Sequence, residues 1–379
     1  MMRQGASVLL VAAEASADLH GAKVVRRLRE LAPAVSVYGV GGTRLAEAGM
    51  EIVHDARDFA VVGFVEVIRH VPRFAAAMGD LVRAAADRST PLAVLIDYPG
   101  FNLRLAGRLR DAGVRVLYYV SPQVWAWGEG RVRQIAERVD RMAVVFEFER
   151  EFYRRRGVEV EFVGHPLLEE PGLCAPRRAP RSPGSPRLLG LLPGSRRQEI
   201  ERHLPAMLGA AEILAREAPG LSLALGRAPG VDAERVEAMV KASGLRVDVA
   251  DPERAYDLMR RADALLVSSG TATLEAACAG APMVIAYRMA PLSYAIARSL
   301  VRTRHIGLVN LVAGEEIVPE LVQGQVTPRR LAEAVRPFLT DDALAGRVSE
   351  RLLGVRSRLG TPGASDRVAR MALEMLRGV

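Results

Sequence analysis

Ala264-Leu265-Leu266-Val267-Ser268-Ser269-Gly270-Thr271-Ala272-Thr273-Leu274-Glu275 reads as a buried strand, a turn of small residues and the opening of a helix. An unbroken apolar run with no polar alternation marks a strand covered on both faces, which is the pattern of a parallel sheet. The small side chains that follow let backbone amides come close to a bound group. The unpaired N–H groups of a helix's first turn carry partial positive charge, so the turn suits an anion such as a diphosphate. Ser269, Gly270, Thr271, Ala272 and Thr273 form this candidate cradle. Glu275 falls one turn into the helix, and two readings stand for it. It is either a carboxylate that accepts the ribose hydroxyls of a nucleotide or the acid of a capping motif begun by Ser or Thr.

The same strand, turn and helix recur on either side. Upstream, Leu188 to Leu192 reads as a strand, about Gln198 to Ala215 as a helix, Leu221 to Leu225 as a strand, Asp232 to Ser243 as a helix, Val247 to Ala250 as a strand and Ala255 to Ala262 as a helix. Nearer the amino terminus a second series begins with the strand Ser7 to Ala12, the helix Gly21 to Glu30, the strand Val35 to Val40 and the helix Gly42 to Ala48. It continues with the strand Leu92 to Ile96, the helix Asn102 to Ala112, the strand Val114 to Val120, the helix Gly130 to Arg138 and the strand Arg141 to Val145. Between the two series, PGLCAPRRAPRSPGSP (Pro171 to Pro186) is dense in Pro, Gly, Ser and Arg and has no apolar period, so it reads as a linker. The predicted class is α/β, with two Rossmann-like doubly wound domains at 1–172 and 187–345, a linker at 173–186 and a helical tail at 346–379. Two such halves facing each other leave a cleft at the carboxyl ends of both sheets, where open α/β sheets bind ligands.

Length and composition agree with this. A chain of 379 residues exceeds one ordinary core, and 50% hydrophobic with 25% charged residues is globular composition. The net charge of +8 is carried almost wholly by arginine, whose planar fork suits phosphate, so anionic partners are expected. The arginines are spread along the chain and no DNA- or RNA-binding module is legible, which argues against nucleic acid. Cys174 and Cys278 lie far apart with no metal-ligand spacing, so neither a disulfide framework nor a zinc site is expected and a cytoplasmic setting is. The start, MMRQGASVLLVAAEAS, behaves better as a first buried strand than as a signal peptide, and no apolar run reaches the length of a membrane span.

Four further stretches carry candidate chemistry. Leu192-Pro193-Gly194-Ser195-Arg196-Arg197 repeats the strand-to-helix anion turn and adds two guanidiniums, although a solvated basic turn is the plain alternative. No paired aspartates for magnesium lie near either turn, so arginine would neutralise a leaving diphosphate and neither metal nor cofactor is required. Glu14 and Ser16 follow the first strand, and Asp97, followed by Tyr98-Pro99-Gly100-Phe101-Asn102, ends another. An inverting glycosyl transfer needs one carboxylate to take a hydroxyl proton, and Asp97 and Glu14 are the candidates; a turn or N-cap carboxylate is the other reading of Asp97. Ser121-Pro122-Gln123-Val124-Trp125-Ala126-Trp127 holds both tryptophans of the chain, suited to a sugar ring or acyl chain or else to core packing, and His165 ends a strand before the linker. Phe59 to Phe74 mixes apolar residues with cations. If helical it would lie either in a membrane interface, through Val61, Val62, Phe64, Val65, Ile68 and Arg69, or in the core.

With these stretches in order, the chain resembles the lipid-A-disaccharide synthase family of GT-B glycosyltransferases over roughly Val8 to Ala334. The resemblance is carried by Glu14-Ala15-Ser16 with Asp18 and Gly21, Gly41-Gly42, Asp97 with Pro99 and Phe101-Asn102, and Tyr119-Val120-Ser121-Pro122 through Trp127. Further matches are Phe162 to Pro166, Leu192 to Arg196, Ser269 to Glu275, Pro282-Met283-Val284 with Tyr287-Arg288, and Asn310-Leu311 with Ala313-Gly314. The resemblance implies metal-independent, inverting transfer of 2,3-diacylglucosamine from its UDP derivative to the 6-hydroxyl of 2,3-diacylglucosamine 1-phosphate. The second half would bind UDP and the first half the acylated acceptor. It also places Asn102, Ser121, Trp125, Trp127, His165, Arg288 and Asn310 among the substrate-binding residues, and favours peripheral association with the anionic inner face of the inner membrane; a homodimer is compatible. Ala13, Ala17, Gly100 and Val309 depart from the family's usual pattern. Another UDP-sugar enzyme of this fold, such as an epimerase or a transferase with a different lipid acceptor, and a catalytically silent lipid- or nucleotide-binding homologue are the competing expectations.

Overall fold

The structure is a computed structural model that describes residues 5–59, 64–125, 129–175, 186–291, 294–295, 298 and 303–378. The chain divides into two units: Met1–Glu169 together with Gly360–Val379, and Glu170–Leu359.

In the first unit the strands are β1 (Ser7–Ala12), β2 (Ser36–Gly41), β3 (Glu51–Asp55), β4 (Leu92–Ile96), β5 (Arg115–Tyr119), β6 (Arg141–Val144) and β7 (Val160–Phe162). Among the described residues they form one parallel sheet in the order β3-β2-β1-β4-β5-β6-β7. The central strands β1 and β4 are buried along their whole length, as their unbroken apolar sequence requires. Helices α1 (Ala15–Leu31), α2 (Thr43–Glu47), α3 (Phe64–Asp87), α4 (Pro99–Asp111), α5 (Val132–Arg138) and α6 (Glu147–Arg154) connect them. Asp18, on α1, accepts from the amides of Gly42 (2.6 Å), Arg44 and Leu45, and so caps α2 from a neighbouring helix. A side chain at Gly42 would meet that carboxylate at 2.8 Å, which explains the glycine. The carboxy-terminal helix Ala364–Arg377 packs on α1.

In the second unit β8 (Leu188–Leu192), β9 (Ser222–Gly226), β10 (Val247–Ala250), β11 (Ala264–Ser268), β12 (Met283–Tyr287) and β13 (Glu320–Val322) form, among the described residues, a parallel sheet in the order β10-β9-β8-β11-β12-β13. Its helices include α7 (Arg197–Glu217), α8 (Ala233–Ala242), α9 (Ala255–Arg261) and α10 (Thr271–Cys278). The sequence at 346–379 reads as one helical tail, but the structure parts it. Asp342–Arg358 packs on α10 in the second unit, and Ala364–Arg377 belongs to the first. Gly360 (φ 90°) and Gly363 (φ 102°) turn the chain between them in the left-handed region that glycine enters without strain.

Each sheet reverses its strand order at one place, between β1 and β4 and between β8 and β11. Loops leaving neighbouring strands at such a switch point diverge to opposite faces and open a crevice at the carboxyl ends. Glu14 follows β1 and Asp97 follows β4; Pro193 to Arg196 follow β8 and Ser269 to Gly270 follow β11.

Candidate active site

At the first switch point, Glu14 is the residue before α1, with extended backbone and an exposed side chain, and Ser16 is exposed on the first turn. Asp97 and Tyr98 both have φ near +48°, a left-handed conformation that costs a non-glycine residue about 1 kcal/mol or more. Three groups hold it there. The Asp97 amide donates to Tyr119 O (2.9 Å), Tyr118 Oη donates to Asp97 O (2.5 Å), and Asn102 Nδ2 donates to both Asp97 O (2.7 Å) and Ile96 O (3.1 Å). Asn102 is fully buried, so it supports the Asp97 backbone from below. Burial first, and the charge of Glu14 second, push the Asp97 carboxyl up to about 6. The two candidate bases are thus close enough to interact, and a half-buried carboxylate with raised proton affinity at the end of a strand suits general-base chemistry near neutral pH.

One strand over, the loop after β5 begins at Val120 in the left-handed region (φ 62°). Ser121 Oγ donates to Glu149 Oε1 (2.5 Å), as does Trp125 Nε1 (2.9 Å). Both polar groups offered to a ligand by the sequence are therefore engaged by one buried carboxylate. In the sequence, Glu149 stands in the charged run Glu147-Phe148-Glu149-Arg150 and resembles a surface acid. A first-turn Glu just after the apolar Val144-Val145-Phe146 was the available signal. His165 is buried, its Nδ1 accepts from Leu167 N (3.1 Å), and burial lowers its pKa to about 3, so it is a neutral structural imidazole. Phe64, Val65, Ile68 and Arg69 lie on the first turns of α3; Val61, Val62 and Trp127 lie outside the described residues.

At the second switch point Gly194 has φ 119°, and a Cβ there would stand 2.6 Å from Glu199 Oε2. That oxygen accepts from the amides of Ser195 (3.0 Å) and Arg196 (3.2 Å), and Oε1 accepts from Arg196 Nη1 (3.0 Å). Glu199 thus occupies the anion position that the turn creates, while Arg197 pairs with Glu201. His203 is a residue that pattern reading passes over inside a long helix. It is buried on α7, its Nε2 accepts from Arg288 N (2.9 Å), and its Nδ1–H donates to Pro193 O (3.1 Å). It therefore ties the loop after β8 to the end of β12. Arg288 Nε in turn donates to Gln323 O (3.3 Å).

Across the switch point, Ser269 Oγ donates to Ile306 O (3.2 Å). Gly270 precedes α10 with open space where a side chain would stand, Thr271 is exposed, Ala272 half-buried, and Thr273 is buried with its hydroxyl spent on Gly270 O (2.8 Å). Thr273, not Glu275, therefore closes the first turn. Burial, with the charge of Glu170 second, pushes the Glu275 carboxyl up to about 7. Asn310 is buried and its amide is fully engaged: Nδ2 donates to Val318 O and Glu320 Oε1 (both 2.8 Å), and Oδ1 accepts from the Ile317 and Val318 amides. Among the described residues no group of three or more His, Cys, Asp or Glu is placed to hold a metal ion, and no helix is long and apolar enough to cross a membrane.

Similarity to known proteins accords with this geometry. Among solved structures, the S. aureus MnaA-UDP co-structure superposes with a TM-score of 0.67 at 12% identity, covering 99% of this chain and 98% of that one. The glycotransferase of kitacinnamycin superposes at 0.63 with 18% identity, covering 98% and 99%. At such identities the likeness establishes the fold, which is GT-B. The lipid-A-disaccharide synthase of Geobacter sulfurreducens is 45% identical over 374 residues, 97% of each chain. Since the model of the lipid-A-disaccharide synthetase family also matches residues 8–353, the chain belongs to that family.

Proposed function

We propose that this protein transfers 2,3-diacylglucosamine from UDP-2,3-diacylglucosamine to the 6-hydroxyl of 2,3-diacylglucosamine 1-phosphate, giving the β-1,6 disaccharide and UDP. The observation that carries the mechanism is the half-buried carboxyl of Asp97 at the end of β4, which burial first and the charge of Glu14 second push up to about 6. The acceptor oxygen attacks the anomeric carbon from the face opposite the diphosphate, so configuration inverts. The bond from the anomeric carbon to the diphosphate oxygen breaks, UDP leaves with the electron pair, and Asp97 takes the hydroxyl proton. Burial, with the charge of Glu14 added to it, keeps the proton affinity of Asp97 high. In the second unit, the amides around Gly270 hold the diphosphate, joined by Arg196 and the turn at Gly194 once the diphosphate displaces the Glu199 carboxylate from them, and Glu275 accepts the ribose hydroxyls. Chain-bearing substrates also make peripheral binding to an anionic membrane surface part of the reading.

Purified protein with both acylated substrates should yield disaccharide by mass spectrometry, with the rate unchanged by a chelator, and Asp97→Ala should lower it by about 10²–10⁴. No product, or equal rates for Asp97→Ala and wild type, overturns the reading. Sedimentation with anionic vesicles that weakens as salt rises tests the membrane part.

A further inference from the structure

The loop from Val120 to Trp125 leaves β5 beside Asp97, and the two are joined through the backbone, since the Asp97 amide donates to Tyr119 O. It begins with a β-branched residue in the left-handed region, a conformation that persists only where the surroundings hold it. Tyr153 Oη holds Pro122 O (3.0 Å), and Glu149 holds both Ser121 and Trp125 on one oxygen. The other oxygen, Oε2, accepts from the Phe146 amide at the start of α6 (3.2 Å). None of these three donors is a cation, and Glu149 is 1% exposed. Burial pushes its carboxyl up to about 7.

A buried carboxyl without a cationic partner is a poor way to gain stability, because apolar packing would hold an indole at lower desolvation cost. What the carboxyl adds is direction. Committing the Trp125 N–H inward sets the tilt of the ring, which meets Phe148 edge-on (5.0 Å, 89°), and Phe148 stacks on Phe146 (5.4 Å, 9°). We propose that Glu149 is a positioning residue for the acceptor: through Ser121 and Trp125 it fixes the loop that stands beside Asp97. This rests on the reading that the first unit takes the acylated acceptor.

The two oxygens of Glu149 can be tested apart. Glu149→Gln keeps an acceptor for Ser121 and Trp125 but sets an amide N–H₂ against the Phe146 N–H, so it should lower the Tm while leaving the acceptor KM near wild type. Glu149→Ala and Ser121→Ala release the loop, and each should raise the acceptor KM about tenfold or more with the donor KM unmoved. In a Trp127→Phe background Trp125 is the remaining tryptophan, and its emission should shift to the red and quench more readily with acrylamide in both alanine variants but not in Glu149→Gln. The inference is overturned if Glu149→Gln behaves like Glu149→Ala, if donor and acceptor KM rise together, or if Ser121→Ala leaves the acceptor KM unchanged. Ser121→Ala decides the matter should Glu149→Ala not fold. Wild type that makes no disaccharide sinks the functional reading instead, and the fluorescence still decides whether Glu149 holds Trp125.

Discussion

The charge of Glu14 and the burial of Asp97 act on the Asp97 carboxyl in the same direction, and together they lift it to about 6. As the base, Asp97 must be deprotonated, so kcat/KM should climb with pH through about 6 and then level off. Glu14→Gln removes the second of the two causes and should move that limb to lower pH. A pH–rate profile of both proteins checks this, and an unmoved limb would count against the coupling.

A carboxyl raised in the folded state binds more protons folded than unfolded, so its ionisation opposes folding. That penalty is absent below the unfolded pKa of 3.8 and complete above about 6. Asp97→Asn should therefore raise stability at pH 7.5 by up to about 3 kcal/mol while lowering turnover by about 10²–10⁴, with no gain in acid. Denaturant melts at the two pH values measure it.

Gly194→Ala should be costly. The new methyl meets Glu199 at 2.6 Å in a backbone conformation (φ 119°) that alanine rarely adopts. A stability loss of about 1–3 kcal/mol and a clear loss of UDP affinity by titration calorimetry are expected. Normal UDP affinity would show that the turn does not serve the nucleotide.

His203 bridges Pro193 O and Arg288 N only as the neutral ring with its proton on Nδ1. Burial holds its pKa below the ordinary histidine range, so the bridge should survive mild acid. His203→Ala should weaken UDP binding about tenfold, whereas a melting-temperature change without any change in UDP affinity would confine His203 to folding.

Glu275 offers a test through protons. If its carboxylate, titrating at about 7, accepts the ribose hydroxyls, UDP favours the charged form and binding at pH 7 releases protons. Calorimetry in buffers of different ionisation heat should show that release in wild type and its loss in Glu275→Gln.

The central strands were legible because burial on both faces writes itself as an unbroken apolar run, as in Leu92 to Ile96. The edge strands were not: Glu51-Ile52-Val53-His54-Asp55 and Val160-Glu161-Phe162 are short, half-wet and mixed in composition. Of the site, the loops were visible as small or polar residues just after strands. What their side chains bind was less so. Asn102 reads as a ligand contact yet lies beneath Asp97, and Asn310 spends its whole amide within the protein. Glu149 and His203 are polar groups inside amphipathic helices, and no local pattern records distant partners such as Trp125, 24 residues from Glu149, and Arg288, 85 residues from His203.

The chain leaves the first unit at Glu169 and re-enters it at Gly360. The second unit is therefore an insertion within the first, and on the ribosome the order of completion is inverted. The sheet of the first unit is made earliest, but the helix that seals α1 is synthesised only after the whole second unit. Until then, the apolar face of α1 waits without its cover while the second unit finishes folding. Cutting the chain after Leu359 would thus spare the later-made unit and leave the earlier one open.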